Sequence, residues 1–172
     1  TFFDNIFSLD PGHTLTLEDG TLSINQYWDL DKIELYNEKL PESHYCEKFN
    51  YLFTDSIKLR LRSDVPVGVN LSGGLDSASL MVTLDKLIND KSTINAFTAT
   101  YGDPKYDEHI FAEKLNTKAK WNLNICKLDV LKVWSSLENI IWHQEAPFGG
   151  IATVAYHNLH QLAQKEGITV LL

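Results

Sequence analysis

The spacing of hydrophobic residues changes several times along this chain, and each change marks a predicted element. Leu15 and Leu17 alternate with polar residues, Asp19-Gly20 follows, and Leu22 and Ile24 alternate on the return. Asp-Gly tolerates the positive φ angles of a two-residue turn, so this pattern predicts an antiparallel hairpin. Residues 29–41 are mostly polar and charged and end at Pro41, which reads as a linker after a preceding unit. Over residues 43–62, Tyr45, Phe49, Leu52, Phe53 and Ile57 recur at helical spacing, with Ser43 placed to cap the helix. That aromatic stripe is expected to be core packing.

The period then shortens. Val65, Val67, Val69 and Leu71 form a β-branched run with Pro66 near its start, where a missing N–H is tolerated. Two glycines follow, then a predicted helix over 76–88, a strand over 94–101 and a helix over 107–119. A strand over 123–128, helices over 131–143 and 152–166, and a last strand over 168–172 complete the series. Gly167 stands where a helix C-cap is expected. Strands alternating with helices predict an α/β fold, a Rossmann-like parallel sheet with flanking helices, preceded by the hairpin remnant of another domain. Ligands of such sheets sit beyond the carboxyl ends of the strands, where the paired glycines fall.

The stretch Ser72-Gly73-Gly74-Leu75-Asp76-Ser77 lies between a strand and a helix. A helix N-terminus offers unpaired N–H groups to an anion, and glycine allows close approach of the backbone. Ser72 and Ser77 add hydroxyl donors. Asp76 would repel bare phosphate, so it makes sense as a ligand for a bridging Mg²⁺. There is no Walker A pattern and no lysine in the turn, which favours holding the β,γ-pyrophosphate of ATP as a leaving group. The bland alternative is a strand-to-helix turn that merely needs two glycines to bend.

Composition narrows the partners. A net charge of −8 without blocks of like charge argues against sequence-independent nucleic-acid binding and for a small-molecule partner. No run of residues has the length and apolarity of a membrane span, and no signal peptide is evident. Cys46 and Cys126 are far apart and are expected to be reduced, buried core thiols. A cytoplasmic enzyme is therefore expected. The chain begins at Thr1 rather than Met and stops inside its last predicted strand, so it reads as a piece of a longer protein.

Asp64 and the run Val65-Pro66-Val67-Gly68-Val69-Asn70-Leu71-Ser72-Gly73-Gly74-Leu75-Asp76-Ser77 resemble the ATP-pyrophosphatase loop of glutamine-hydrolysing asparagine synthetases. Pro11-Gly12-His13, the hairpin and Tyr27-Trp28 look like the end of that family's glutaminase domain. Tyr106-Asp107-Glu108, Trp142-His143-Gln144, Pro147-Phe148 and Val170-Leu171-Leu172 look like landmarks of its synthetase domain. The resemblance implies that residues 1–35 end a glutaminase-type domain with its linker. Residues 36–172 would begin an ATP-binding domain of the adenine nucleotide alpha hydrolase-like fold. It also implies a reaction: aspartate's carboxylate takes AMP from Mg-ATP with release of pyrophosphate, and ammonia from glutamine then displaces AMP. Leu71 and Ala99 would contact adenosine; Ser72, Gly73, Gly74, Asp76 and Ser77 would hold pyrophosphate and metal, with Asp76 on Mg²⁺.

The resemblance leaves gaps. The family's glutaminase nucleophile is an N-terminal cysteine, which neither Cys46 nor Cys126 can be. An acid-rich glycine loop expected after Leu172 is missing, so part of the catalytic set is expected beyond this chain, and residues 1–172 alone are expected to be inactive. Relatives often carry adjacent acids before the proline where this chain has Glu145-Ala146, which leaves the acceptor carboxylate open. Asp107 and Glu108 fit either a metal or substrate role or a solvated helix start. His143 is expected to be structural. Rival readings are GMP- or NAD-synthetase-like ligases, a non-catalytic nucleotide-binding homologue, and a plain α/β scaffold. Homodimerisation of the full-length protein is left open.

Overall fold

The computed structural model describes residues 1–33, 39–90 and 93–172. The expected domain boundary between 35 and 36, and the middle of the expected linker, lie outside the described residues. By its internal contacts the chain divides into two units, Thr1–Glu42 and Ser43–Leu172.

In the first unit, β1 (His13–Glu18) pairs antiparallel with β2 (Thr21–Gln26). Asp19 and Gly20 both take positive φ, 47° and 76°, which matches the twist of the two strands. The register sets Leu15 opposite Ile24 and Leu17 opposite Leu22, so the four apolar side chains share one face. Gly12 takes φ +71°, and its carbonyl accepts from the amides of Tyr27 and Trp28 at 2.8 and 3.2 Å. A Cβ there would strike the Trp28 carbonyl. A 3₁₀ turn at Leu30–Lys32 follows, capped by the Asp29 side chain.

The second unit is a four-stranded sheet in the order β5-β4-β3-β6, with every pairing parallel. Its elements are α1 (Glu42–Arg60), β3 (Val67–Asn70), α2 (Leu75–Leu87), β4 (Asn95–Thr100) and α3 (His109–Ala119). They continue with β5 (Asn122–Lys127), α4 (Val133–Gln144), α5 (Ala152–Lys165) and β6 (Val170–Leu171). On one face Val69, Leu71 and Ala96 pack with Ile57 of α1, Met81 and Leu84 of α2 and Ala112 of α3. On the other, Phe97 packs with Leu159 and Ala163 of α5 and with Ile168. The Rossmann-like α/β layering is as expected from the alternating periods.

Several details differ from expectation. The helix α1 starts at Glu42, so Ser43 lies inside its first turn rather than capping it. Only the later half of the aromatic stripe is core: Ile57 is buried and Phe53 packs against the cluster, whereas Tyr45, Phe49 and Leu52 are exposed. A local period marks one face of a helix; it does not say how far along that face a neighbour reaches. Pro66 donates no hydrogen bond, and β3 begins only at Val67. The helix expected from residue 107 starts at His109, and a 3₁₀ turn at Val130–Lys132 precedes α4. Gly167 takes φ +74°, and the Ile168 amide reaches back to Ala163 O at 2.9 Å, which ends α5 as expected.

Both cysteines are free, but Cys46 is exposed rather than buried: it shares a face with Phe53 and Ile57 but sits in the early turns of α1, where Tyr45 and Phe49 are exposed as well. Cys126 is half-buried; burial pushes its thiol up, with Lys165 pulling the other way.

Candidate ligand cavity at the carboxyl ends of β3 and β4

The chain leaves the sheet at Leu71, which is buried and still donates its amide to Phe97 O at 2.8 Å. Ser72, Gly74 and Asp76 are then exposed. Gly73 takes φ +86°, and a Cβ on it would lie 2.6 Å from Phe111 Cβ and 3.0 Å from the Ala112 amide nitrogen. This glycine is required because α3 presses against the loop from behind. Packing against α3 thus accounts for the missing Cβ at Gly73. Only Gly74 has open space where a side chain would be, with Ser72 Oγ the nearest atom at 3.4 Å.

The two serines brace the loop. Gly73 N–H donates to Ser77 Oγ at 3.2 Å, and Gly74 N–H donates to Ser72 Oγ at 3.3 Å. Ser77 Oγ lies 3.2 Å from Gly74 O and 3.1 Å from Ser72 Oγ. Gly74 is the N-cap of α2 and supplies no side-chain cap, so the first-turn amides of the helix remain available. Residues 72–77 thus form an exposed strand-to-helix loop with its amide-bearing end open, the geometry an anion site needs.

In front of this loop is a cavity of about 530 Å³. It gathers Leu71, Ser72, Asp76, Ser77 and Ala99 of the expected residues; Gly73 and Gly74 stand behind the lining. Asn70 and Phe97 form part of its wall, Tyr101, Tyr106 and Glu108 come from the turn after β4, and Ala155, Tyr156 and Leu159 come from α5. Sequence reasoning weighed Glu108 with Asp107 for a metal or substrate role, named Tyr106 only as a landmark, and missed Asn70 and Tyr156. The available signals were a polar residue inside the Val69–Leu71 apolar run, and the recurrence of 152, 155, 156 and 159 on one helical face.

The two acids after β4 part company. Asp107, 7% exposed, accepts from Thr100 Oγ1 at 2.7 Å, Tyr101 N at 2.5 Å and Gly102 N at 3.0 Å. Burial pushes its carboxyl up, yet the Thr100 hydroxyl, the two backbone amides and nearby His109 together hold it below the ordinary range. His109 Nδ1 stands 3.7 Å from it. This carboxylate is neither a solvated helix start nor a group facing the cavity; it ties the end of β4 to the approach of α3. Glu108 lines the cavity with Asp76.

Among the described residues, no three histidine, cysteine or acidic side chains converge as a metal site. Two carboxylates in one cavity nevertheless suit Mg²⁺, which commonly takes one or two protein carboxylates and completes its shell with phosphates and water. His143 is exposed, its ring 6.3 Å from that of His157, and it lies outside the cavity lining, as does Glu145, the left-handed C-cap of α4.

A parallel α/β domain with a cavity beyond the carboxyl strand ends is the class of protein this arrangement defines. Residues 48–172 match the asparagine synthase family, and the chain belongs to it. It is 33% identical over 178 residues to glutamine-hydrolysing asparagine synthetase 2 of Bacillus subtilis (strain 168), covering 95% of this chain and 23% of that protein. It is 27% identical over 186 residues to amidase chyE of Penicillium rubens, covering 100% of this chain and 28% of that protein. The chain therefore spans about a quarter of the length of these curated relatives. Among solved structures it is similar to the NH3-dependent NAD synthetase from Campylobacter jejuni, with TM-score 0.45 and 15% identity over 76% of this chain and 56% of that one. No helix among the described residues is long and apolar enough to cross a membrane.

Proposed function

We propose that this chain carries the ATP-binding part of a ligase that amidates a carboxylate through an acyl-adenylate. The observation that carries the reading is the exposed, uncapped start of α2 behind Ser72 and Ser77, facing a cavity that also holds Asp76. Membership of the asparagine synthase family supports it.

In this reading Leu71 and Ala99 flank the adenosine. The loop of Ser72, Gly73, Gly74 and Ser77 holds the pyrophosphate end through the serine hydroxyls and the uncapped first-turn amides of α2, with Gly73 and Gly74 N–H bracing the loop on Ser77 and Ser72, and Asp76 holds Mg²⁺. The metal neutralises charge on the phosphates when bound. A substrate carboxylate oxygen attacks the α-phosphorus, the bond to the bridging oxygen breaks, and pyrophosphate leaves with its charge spread over fixed donors. Ammonia then attacks the acyl carbon, AMP leaves with the bonding pair, and an amide remains. With glutamine as nitrogen donor and aspartate as acceptor the product is asparagine. The further catalytic groups and the glutaminase nucleophile are assigned to parts of the whole protein outside residues 1–172. A cytoplasmic setting fits the two free thiols.

An acceptor other than aspartate is the second reading. It is favoured by Glu145-Ala146, where one carboxylate of the familiar pair is absent, and by a whole-chain relative named as an amidase.

Isothermal titration of the full-length protein with Mg-ATP tests the site. Asp76→Ala is expected to weaken Mg-ATP binding at least about tenfold, because a metal ligand is lost, and to leave folding intact because Asp76 is exposed. Equal affinity and activity in the variant would remove Asp76 from the metal and count against the site.

A further inference from the structure

We propose that His157 makes the packing of α4 on α5 acid-sensitive, and with it the wall that α5 gives the ligand cavity; the consequence for a ligand rests on the nucleotide reading given above. His157 is half-buried on α5, and its ring centre lies 6.3 Å from that of His143 on α4, with the planes tilted by 33°. Its Nε2 lies 3.0 Å from Gln161 Nε2, one helical turn further on. An amide nitrogen only donates, so in this arrangement the ring nitrogen accepts and the neutral imidazole carries its proton on Nδ1. His157 also lines a second cavity, of about 230 Å³, with Lys132 and Val133 where α4 begins.

The surroundings give a second proton on this ring no counter-charge. The titratable and charged groups facing His157 are His143 from α4, His160 from α5 itself, Tyr101 from beyond β4, and Asp129 and Lys132 from the turn before α4. Asp129 and Lys132 stand 3.8 Å apart and offset each other's charge. Among the described residues no carboxylate is in ion-pair range of the ring. Burial, His143 and His160 accordingly hold His157 below the ordinary histidine value. When the ring does charge, Nε2 becomes a donor facing the Gln161 amide, which has to turn over. The added positive charge also repels His143 and His160 whenever they are charged. Ala155, Tyr156 and Leu159 of the same helix line the ligand cavity, and Ala155 lines both cavities. A shift of α5 against α4 therefore reaches the ligand wall.

The neutral ring is the form the folded chain favours. Stability present above the ordinary histidine value of 6.5 is therefore lost as pH falls through it toward the lowered one. The test compares the full-length protein with its His157→Gln variant from about pH 7.5 to about pH 5.5, a span that brackets a free imidazole. Thermal unfolding and titration with Mg-ATP are the readouts, and the comparison cancels the titration of the nucleotide and of the other histidines. Over that span the wild type should lose at least about 2 °C more in melting temperature than the variant. It should also lose at least about threefold more Mg-ATP affinity. His143→Gln keeps His157 and removes one neighbouring imidazole, so its acid losses should fall between the other two. If His157→Gln does not fold, His143→Gln carries the comparison and has to lose less than the wild type. Parallel acid profiles in the wild type and the folded variants would overturn the role of His157. A difference in melting with none in affinity would overturn the link from α5 to the ligand wall. Absence of Mg-ATP binding by the wild type at every pH would overturn the nucleotide reading, and the melting comparison would still decide the role of His157.

Discussion

Two turns leave the carboxyl ends of neighbouring parallel strands here, and they are finished in opposite ways. After β3 the loop 72–77 carries an exposed carboxylate, Asp76, and leaves the first amides of α2 uncapped. After β4 the turn 101–108 carries a buried carboxylate, Asp107, which takes the amides of Tyr101 and Gly102 and the hydroxyl of Thr100. In the first turn Gly73 and Gly74 N–H rest on serine hydroxyls and the first amides of α2 stay uncapped; in the second, one carboxylate gathers the amide and hydroxyl donors. The closed turn also serves the open one, because the start of α3 that follows Asp107 backs directly onto Gly73. A rigid wall behind a loop keeps its donors aimed without a ligand present, which is how preorganised anion sites gain their strength.

The comparison is most easily broken at Gly73. Gly73→Ala requires a left-handed conformation and puts a methyl against Phe111 and the backbone of α3. A loss of roughly 2–5 kcal/mol in stability is expected. Nucleotide binding should fall below detection, read by denaturant unfolding and titration. Retained binding would mean that α3 does not set the loop.

Asp107→Asn comes next. An amide cannot accept from the Thr100 hydroxyl and both backbone donors at once. The melting temperature should drop by about 5 °C or more, and Mg-ATP should bind more weakly through the loosened wall. The carboxyl of Asp107 is held below its ordinary value near 3.8, so it contributes stability above that pH and the contribution disappears as pH falls through the lowered value. Acid unfolding of the wild type should therefore show a limb that the asparagine variant lacks; matching acid profiles would show that the carboxylate is not ionised in the folded chain.

The smallest effect is expected at Gly102. It also has positive φ, +77°, but a Cβ would meet only Lys127 Cε at 3.8 Å. Gly102→Ala should cost about 1 kcal/mol of backbone strain and leave nucleotide affinity unchanged. A large drop in affinity there would erase the distinction between an open and a closed turn.

Much of the architecture was legible because its signals are local. The Asp19-Gly20 turn, the valine run of β3, the paired glycines and Gly167 each act through their own φ preferences or through residues a few places away, so order and type of element follow from spacing. The candidate loop was legible for the same reason. What escaped depended on partners distant in sequence. Tyr45, Phe49 and Leu52 have the same period as Ile57, but only the later turns of α1 reach the sheet. Asp107 and Glu108 are adjacent acids with one compositional meaning, yet one is buried against the end of β4 and the other lines the cavity.

By itself, then, the chain's sequence determined a hairpin, an alternating α/β series and a glycine-serine-aspartate turn at one strand end, since periodicity and turn chemistry operate over a few residues. Tertiary packing alone decided which carboxylate meets solvent, which glycine is pressed by a neighbouring helix, and that Asn70 and Tyr156 share one cavity. Burial and close approach are properties of surfaces brought together across the fold, and a local pattern carries no information about the surface it will meet.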